Sequence, residues 1–520
     1  KLLGIKDTPT SRISDLLNNE ENNSSWLITD SIFLGKNRNN DTNWHFIKET
    51  NPDSFSFSGD SSITESGDYY LVSSEQKGNL TQFMRRAKSL KALAEHDELL
   101  QMLIDPRGKI KNSHDDILDD IHYQSLDTSK QQALRKLIST VPLFLVQGPP
   151  GVGKTKLIKE LVRRRHSEEP TDRFLLTAQS NSATNHLLDQ VKELFPSDEK
   201  PLIIRCGKNE TEDGIPDLKK ESSEILKKLS LSQMFNEASE HIQEKIILLK
   251  LQYESASTSV ASNTLRHTSA TRTFEGLLLR SANFVFATTN SSELERLIEE
   301  RAQFDWTIIE EAGKATGGEL VSPLLLSYRR LLIGDHKQLP PFNSEKTKSV
   351  LLNSDSLKEA LTLARSSIGS ELLDNTANDL FNIPDTPQEA EGDEIPNFPE
   401  TCRKSIGKLF LFQQLIEEEL EFQQENPNSK TKIASPLYIQ HRMHPAIAEL
   451  VSQCFYKGEL KTSLERTEHC ASVTPLTTFK HLPTNSQPPI IWIDMPWLQT
   501  TLGKKTAEDM PRYTNEDEVE

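Results

Sequence analysis

The sequence predicts an α/β protein whose parallel sheets are covered by helices on both faces. Short apolar runs of strand length, from Leu143–Val146 to Arg330–Ile333, alternate with segments in which apolar residues recur at helical spacing. Such alternation is typical of parallel α/β folds. A glycine-rich loop directly follows the first of these strands and leads into a helix, which supports the same fold class. With 520 residues, the chain is long enough for about two to four domains.

Residues 1–79 are predicted to form a small β-rich module. They are rich in Asn, Ser, Asp and Gly, and they contain short alternating runs at 26–29 and 69–72. A helical segment and a linker are predicted over residues 80–122. The apolar stripe of that helix consists of Phe83, Ala87, Leu90 and Ala94, and Asp105-Pro106 ends the pattern.

The first α/β domain is predicted over residues 123–342. Within it, residues 207–282 are predicted to be a helical insertion, because 217–255 lacks Gly and Pro and is rich in Leu, Lys and Glu. Residues 343–432 lose the alternation of strands and helices, become acidic and then turn helical, which predicts an inserted region. Residues 433–520 are predicted to begin a second α/β domain.

The stretch Gly148–Thr155 matches the phosphate-loop pattern G-x-x-x-x-G-K-[ST]. Its glycines let backbone N–H groups turn inward onto phosphate oxygens, and the following helix adds the positive end of its dipole. Lys154 is predicted to reach the β- and γ-phosphates of ATP, and the hydroxyl of Thr155 to ligate Mg²⁺. The residues predicted to bind the nucleotide here are Gly148, Pro149, Pro150, Gly151, Val152, Gly153, Lys154 and Thr155.

Two adjacent acids follow the apolar run Trp306–Ile309. Nucleotide hydrolysis needs one carboxylate for Mg²⁺ and one that polarises the attacking water. We therefore predict that Glu310 holds the metal and that Glu311 is the general base. Many strands end in acids, but two acids after a phosphate loop with the intervening strands and helices favour a hydrolytic pair.

Two polar turns lie farther along the chain, at Gly334–Pro341 and Gln440–Pro445. In the first, the amide of Gln338 is suited to sensing a γ-phosphate. In the second, Arg442 is suited to stabilising transition-state charge from another domain. The residues alone favour ordinary polar turns for both stretches.

Composition limits the partners. The net charge of −17 argues against a broad non-specific nucleic-acid coat but leaves room for a narrow basic channel. The four cysteines form no C-x-x-C pair, so neither a disulfide framework nor a zinc site is expected, and a reducing cytoplasm is predicted. No apolar run approaches the length of a membrane span, and no membrane partner is predicted.

The motifs occur in the order found in one known family. The chain resembles the superfamily-one helicases, in the branch of the nonsense-mediated-decay helicase, the immunoglobulin mu-binding helicase and senataxin. This resemblance implies tandem RecA-like domains, a stalk helix before the first of them, and a β-barrel where residues 1–79 lie. The stretches that carry the resemblance are Gly148–Thr155, Thr177–Asn181, Ile309–Ala312, Gly334–Pro341, Gln440–Pro445 and Phe455–Leu460.

The resemblance also implies residue roles and three departures. Ser180, Asn181, Thr288 and Thr289 match residues that contact the backbone of single-stranded nucleic acid. The metal acid is Glu310 where the family usually has Asp. The adenine-reading Gln falls at Lys130, which leaves Gln131 or Gln132 as substitutes, and the aromatic that stacks on adenine is His441.

We therefore expect an ATP-dependent helicase or translocase that moves 5′ to 3′ on single-stranded RNA or DNA. The alternative is an ATP-gated clamp or scaffold in a larger assembly, without unwinding. A small-molecule kinase would leave Gly334–Pro341 and Gln440–Pro445 unexplained. The later family motifs are not found after Pro489–Asp494, so we expect either a truncated protein or part of a longer chain. In both cases the second RecA-like domain is expected to be incomplete, and hydrolysis by this stretch alone to be barely above background.

Overall fold

The computed structural model describes residues 26–29, 42–51, 54–59, 70–112, 119–196, 201–207, 217–258, 268–353, 355–360, 400–429 and 431–472. The chain divides into two compact units, Lys1–Leu437 and Tyr438–Glu520. The acidic stretch predicted within 343–432 lies mostly at 361–399, outside the described residues, as does Pro489–Asp494. Within the described ranges, no helix is both long and apolar enough to cross a membrane.

The N-terminal segment forms a four-stranded antiparallel sheet in the order β3-β2-β1-β4. Its strands are β1 Trp26–Thr29, β2 Thr42–Asn51, β3 Ser54–Gly59 and β4 Tyr70–Ser73. The two alternating runs that predict strands are therefore β1 and β4, and the β-rich character of this segment is confirmed. Its closure into a barrel stays a prediction.

Two helices follow, where one was predicted from Leu80. They are α1 Ser74–Ala94 and α2 Asp97–Ile104. The first helix begins inside the stretch 1–79, and the chain breaks helical conformation at Glu95 and His96. The predicted boundary at residue 79 is therefore too late.

The rest of the first unit alternates strands and helices. Its strands are β5 Lys111–Asn112, β6 Thr140–Val141, β7 Leu143–Gln147, β8 Phe174–Ala178, β9 Ile203–Arg205, β10 Phe284–Thr288, β11 Phe304–Glu310, β12 Ser327–Gly334 and β13 Ala434–Pro436. Its helices are α3 Ile121–Gln124, α4 Thr128–Ser139, α5 Lys154–Glu168, α6 Asn181–Lys192, α7 Leu218–Ser230, α8 Gln233–Glu237, α9 Glu240–Thr258, α10 Ser269–Ser281, α11 Ser292–Glu299, α12 Gly317–Leu324, α13 Ser344–Leu351, α14 Glu400–Leu409 and α15 Leu411–Glu425.

Seven of these strands form one parallel sheet in the order β13-β7-β12-β11-β8-β10-β9. The inner strands are almost fully buried, which is why they are continuous apolar runs in the sequence rather than alternating ones. One hydrophobic cluster joins Leu143 and Leu332 of the sheet to Leu99, Leu320 and Phe412 of three helices. The predicted parallel α/β fold is confirmed.

The structure corrects two predicted boundaries in this sheet. Strand β13 pairs in parallel with β7, so it completes the first sheet rather than beginning a second domain at residue 433. Helix α15, predicted within an insertion, buries Leu411, Phe412 and Ile416 in the core of the same sheet. Burial of this apolar face makes the helix a covering layer of the first domain.

The predicted helical insertion is helical between β9 and β10, but it is not one long helix. The stretch 217–255 divides into α7, α8 and most of α9. Helix α10 packs on the sheet, because its Leu279 lies in one hydrophobic cluster with Leu175 and Val285 of the strands.

The described part of the second unit is small. It contains β14 Ile439–Gln440, α16 Pro445–Phe455, β15 Lys461–Thr462 and α17 Leu464–Ser472. Strands β14 and β15 are parallel, with α16 in the connection between them. This is a strand–helix–strand unit, as predicted for a second α/β domain.

Candidate active site

Three predicted stretches meet along one edge of the seven-stranded sheet. The phosphate loop follows β7, Gln338 follows β12, and the acid pair ends β11, and these three strands are neighbours in the sheet. Since all strands are parallel, their carboxyl ends lie at the same edge, which is where ligands bind in open α/β sheets. The sheet therefore brings together residues that are far apart in the sequence.

The phosphate loop is shaped by its glycines. The Gly148 N–H donates to the carbonyl of Gly334 at 2.8 Å, which anchors the loop to β12. Gly151 and Gly153 both have φ of 76°, in the left-handed region that favours glycine. A Cβ on Gly148 would lie 2.5 Å from Cδ of Lys154, so glycine leaves the path that the lysine side chain takes. The Lys154 Nζ donates to the Gly148 carbonyl at 3.1 Å.

Glu311 lies directly beside this lysine. Its Oε1 is 3.3 Å from Lys154 Nζ, and its Oε2 is 3.1 Å from Nζ of Lys314. Burial works to raise the pKa of Glu311, but attraction to Lys154 and Lys314 outweighs it, and the pKa lies below its ordinary value. Glu311 also has φ of 55°, an uncommon conformation for a residue with a side chain. The carboxylate is thus held ionised at the end of the strand, as a base requires.

Glu310 is paired with the last residue of the phosphate loop. The Thr155 hydroxyl donates to Oε1 of Glu310 at 3.0 Å, and Glu310 is only 5% exposed. Burial raises the pKa of Glu310, and the neighbouring charge of Glu311 acts in the same direction. A hydroxyl and a carboxylate oxygen side by side are the hard oxygen ligands that Mg²⁺ prefers. These residues fit the ion, and the longer side chain of Glu310 still reaches Thr155.

A tight contact between two turns holds this arrangement. A Cβ on Gly334 would lie 2.7 Å from the backbone nitrogen of Gly313 and 2.8 Å from that of Ala312. A Cβ on Gly313 would lie 2.7 Å from the carbonyl oxygen of Asp335. The turn that follows the acid pair and the turn that follows β12 therefore pack backbone against backbone, which only glycine permits.

Gln338 is held by the turn after β12. Its Nε2 donates to Oδ2 of Asp335 at 2.8 Å, while the Lys337 N–H donates to the other carboxylate oxygen at 3.1 Å. Asp335 is 2% exposed. The amide of Gln338 is therefore oriented by a buried carboxylate, and its predicted sensing of a γ-phosphate stays a prediction.

The contact at Gly334 leads to a first prediction. We expect Gly334→Ala to lower ATP turnover by about tenfold or more, because the methyl group must push the Glu310–Glu311 turn away from β12 and small misplacements of reacting groups are costly. Gly318→Ala is the matched control, since a Cβ there would be 3.8 Å from its nearest neighbour atom, on Arg86. Steady-state ATPase rates and melting temperatures of both variants check it. Equal turnover in the two variants would contradict it.

The predicted base-reading positions are arranged around α4. Lys130 is 1% exposed, its ammonium pairs with Asp127, and its Cε would lie 3.0 Å from a Cβ on Gly153. The Gln131 amide donates to the carbonyls of Tyr123 and Leu126 at 3.2 and 3.0 Å. Gln132 is exposed. Of the two predicted substitutes, Gln131 thus braces the backbone before α4, and adenine recognition by Gln132 stays a prediction.

The turn at 440–444 in the second unit has a clear structural basis. Gln440 is fully buried, and its Oε1 accepts from the N–H groups of Arg442 and Met443 at 2.8 and 2.7 Å. His444 caps α16, accepting from Ala446 N–H at 3.2 Å. The turn leaves His441 and Arg442 exposed. Their roles in nucleotide binding and catalysis stay predictions.

The predicted nucleic-acid contacts lie at the ends of paired strands. Ala178 of β8 is opposite Thr288 of β10 in the sheet register, so the two stretches are neighbours. Ser180 is exposed and caps α6 by accepting from Ala183 N–H. Asn181 is exposed, but its Oδ1 accepts from Arg205 at 2.8 Å.

Thr289, also predicted to contact nucleic acid, is less exposed than Ser180 and Asn181. It is fully buried, and its hydroxyl has no hydrogen-bond partner among the described residues. Its N–H donates to the carbonyl of Ala178 at 3.1 Å. Sheet packing thus encloses the Thr289 side chain at the end of β10. Its contact with nucleic acid stays a prediction.

Sequence reasoning also missed residues that shape the site. Lys314, three residues after Glu311, could have been suspected from that spacing. Asp335 lies three residues before Gln338, but in the sequence it resembles any polar turn residue. Arg205 carries no signal in the sequence, and neither does the pairing of Glu319 with Arg86, because folding alone brings these partners together.

Comparisons with known proteins agree with this site. Two family profiles, both described as AAA domains, match the chain, one over residues 125–275 and 250–345 and the other over residues 410–520. The first profile contains the phosphate loop and the acid pair. The second contains α15 and the turn with Arg442.

Several curated relatives are helicases by name. The ATP-dependent helicase upf1 of Schizosaccharomyces pombe is 30% identical over 384 residues, covering 72% of this chain and 30% of the relative. The DNA polymerase alpha-associated DNA helicase A of Saccharomyces cerevisiae is 26% identical over 296 residues, covering 53% and 42%. An uncharacterised ATP-dependent helicase of Methanocaldococcus jannaschii is 24% identical over 316 residues, covering 54% and 46%.

The chain thus spans less than half the length of each of these relatives. Within that span, the two AAA-domain profiles, the helicase relatives and the parallel sheet with its phosphate loop all indicate the same family. The chain belongs to the superfamily-one helicases with AAA-type domains, in the branch of the nonsense-mediated-decay helicase.

Proposed function

We propose that this chain is the ATP-hydrolysing motor region of a helicase or translocase that moves 5′ to 3′ along single-stranded nucleic acid. One observation carries the proposal: at the carboxyl edge of the sheet, Lys154 pairs with Glu311 and Thr155 pairs with Glu310, so two adjacent loop residues meet the two adjacent acids. The two stretches predicted to contact nucleic acid end β8 and β10, on the same sheet. The nucleotide site and the candidate nucleic-acid surface are therefore built on one rigid element.

The residues divide the chemistry between them. Lys154 offers positive charge to the β- and γ-phosphates, and the loop N–H groups supply hydrogen bonds. Thr155 and Glu310 would hold Mg²⁺, which neutralises charge on the phosphates when it is bound. Glu311, ionised by its two lysine neighbours, accepts the proton of the attacking water.

The alternative, an ATP-gated clamp within a larger protein assembly, is favoured by one observation. The side chain of Asn181, predicted to contact nucleic acid, is already engaged by buried Arg205. A surface whose side chains are fixed in this way suits a protein that binds nucleic acid without moving along it. A strand-displacement assay distinguishes the two functions, because a clamp hydrolyses ATP without displacing a strand.

We expect ATP turnover by the full-length protein to be stimulated at least about tenfold by single-stranded nucleic acid, with Mg²⁺ required. The measurement compares RNA and DNA of one sequence in a coupled ATPase assay, and displacement of a duplex with a 5′ tail against one with a 3′ tail. A blunt duplex is the control. Unstimulated turnover with all of these substrates would refute both functions, and stimulation without displacement would identify the clamp.

The proposal also includes the location of the protein in the cell. The cysteines whose side chains the structure describes, Cys206, Cys454 and Cys470, are free thiols. Free thiols fit the reducing cytoplasm that the sequence predicts.

A further inference from the structure

Glu319, in the first turn of α12, is a buried carboxylate with four hydrogen bonds. Its side chain is 6% exposed. Oε2 accepts from the backbone N–H and the hydroxyl of Thr316 at 2.7 and 3.0 Å. Oε1 accepts from Nη2 of Arg86 and Nδ2 of Asn290, each at 2.7 Å. Oε2 therefore accepts from the residue that precedes its own helix, and Oε1 accepts from two segments that are distant in the sequence.

These contacts join three parts of the first unit. Thr316 follows the short helical turn Ala312–Lys314 that Glu311 opens. Asn290 lies directly after Thr288 and Thr289, in the loop that ends β10. Arg86 belongs to α1, the predicted stalk helix.

Other contacts tie the same segments together. The Arg85 guanidinium donates to the backbone carbonyl of Asn290 at 2.9 Å, and Arg86 Nε donates to its Oδ1 at 3.4 Å. The hydroxyls of Ser89 and Ser322 lie 2.7 Å apart, between α1 and α12. Glu319 is the one side chain among these that contacts all three segments, so movement of the loop at 290 reaches the turn after Glu311 through it.

We propose that Glu319 is a positioning residue that couples nucleic acid bound near the end of β10 to the geometry of Glu311, with the stalk helix as the third arm of the link. This inference rests on the proposed function, since it presumes that nucleic acid raises ATP turnover. Charge-assisted hydrogen bonds at a buried carboxylate are stronger and more directional than neutral ones. The link is therefore stiff enough to transmit a displacement between the two turns.

Glu319→Gln tests the link with little change of shape. A glutamine must turn an NH₂ group toward either Thr316 or the Arg86–Asn290 pair. The Thr316 hydroxyl can accept from it, but the Thr316 backbone N–H and the Arg86 guanidinium can only donate, so a hydrogen bond is lost on whichever side the NH₂ group faces. We expect the ratio of nucleic-acid-stimulated to basal ATP turnover to fall by about fivefold or more, the lower end of typical couplings. By linkage, the factor by which a non-hydrolysable ATP analogue changes the affinity for single-stranded RNA or DNA falls as well. Fluorescence anisotropy measures this second quantity without turnover.

A double-mutant cycle separates a loss of coupling between nucleic-acid binding and ATP turnover from a general loss of stability. Asn290→Ala removes the loop arm together with the contact between Arg86 Nε and Asn290 Oδ1, and it keeps the Thr316 arm. Its effect and that of Glu319→Gln should be non-additive in the double variant. Glu295→Gln is the matched control: it removes the pairing of α1 with α11 through Arg85 and Lys88 but leaves the three Glu319 arms intact. We expect the control to keep the wild-type ratio.

The outcomes are distinct. An unchanged ratio in Glu319→Gln overturns the inference, and so does an equal loss in Glu295→Gln. If the melting temperature shows that Glu319→Gln does not fold, Asn290→Ala alone decides by the same two readouts. Absence of stimulation in the wild-type protein refutes the proposed function and this inference with it, whereas stimulation that survives in Asn290→Ala refutes only the inference.

Discussion

Lys154→Ala is expected to reduce ATP turnover about 10³-fold or more, to the level of background. Within the phosphate loop, Lys154 is the one side chain that carries positive charge. Its Nζ lies between the Gly148 carbonyl and the Glu311 carboxylate, at 3.1 and 3.3 Å. The substitution removes the cation that faces the phosphates, and it also removes one of the two attractions that lower the pKa of Glu311.

Lys156→Ala is the matched control for this result. Lys156 belongs to the same helix, is exposed, and donates to the carbonyl of Ser125 at 2.8 Å rather than to the loop. We expect its turnover to stay within about twofold of the wild-type value, as for most surface substitutions. Steady-state ATPase assays and fluorescent-nucleotide titrations of both variants check the pair. Wild-type turnover in Lys154→Ala would show that another residue holds the phosphates.

Glu311→Gln is expected to bind ATP with Mg²⁺ normally and to lose about 10²–10⁴-fold in turnover, the usual loss for a missing general base. The amide keeps the size of the side chain but cannot accept a proton from water. Since the Thr155 hydroxyl donates to Glu310, the pair predicted to hold Mg²⁺ keeps its hydrogen bond in this variant. Single-turnover hydrolysis beside nucleotide binding separates the chemical step from affinity.

Glu310→Gln should behave differently, and each variant is the control for the other. Removing the carboxylate beside Thr155 should raise the Mg²⁺ concentration needed for half-maximal turnover, because a neutral amide is a weaker ligand for a hard cation. Mg²⁺ titrations of both variants at saturating ATP test this. If Glu311→Gln raised the requirement and Glu310→Gln did not, the two roles would be reversed.

Local patterns predicted the parts of this site well. The apolar runs of β7, β8, β10, β11 and β12 are strands, because residues buried on both faces of a parallel sheet must be apolar along their whole length. The phosphate loop is a contiguous motif whose glycine conformations are local. The acid pair was recognisable because it directly follows a buried strand. In each case the physical cause lies within a few neighbouring residues.

Boundaries and environments were predicted less well. Strand β13 is only Ala434–Pro436, too short for a periodic signal, and it belongs to the first sheet because it pairs with β7. Helix α15 looks like any amphipathic helix until its apolar face is packed against that sheet. The burial of Thr289 likewise depends on its neighbours in the sheet rather than on its own sequence.

The amino-acid sequence was therefore sufficient for the fold class, the phosphate loop, the acid pair and the family, because each depends on short-range periodicity or on a contiguous motif. Folding was needed to set Glu311 beside Lys154, to pack Gly313 against Gly334, and to bring Arg86 and Asn290 to Glu319. These partners are separated by tens to hundreds of residues. Their contacts arise from the order of strands in the sheet and the helices packed on it, which no local propensity encodes.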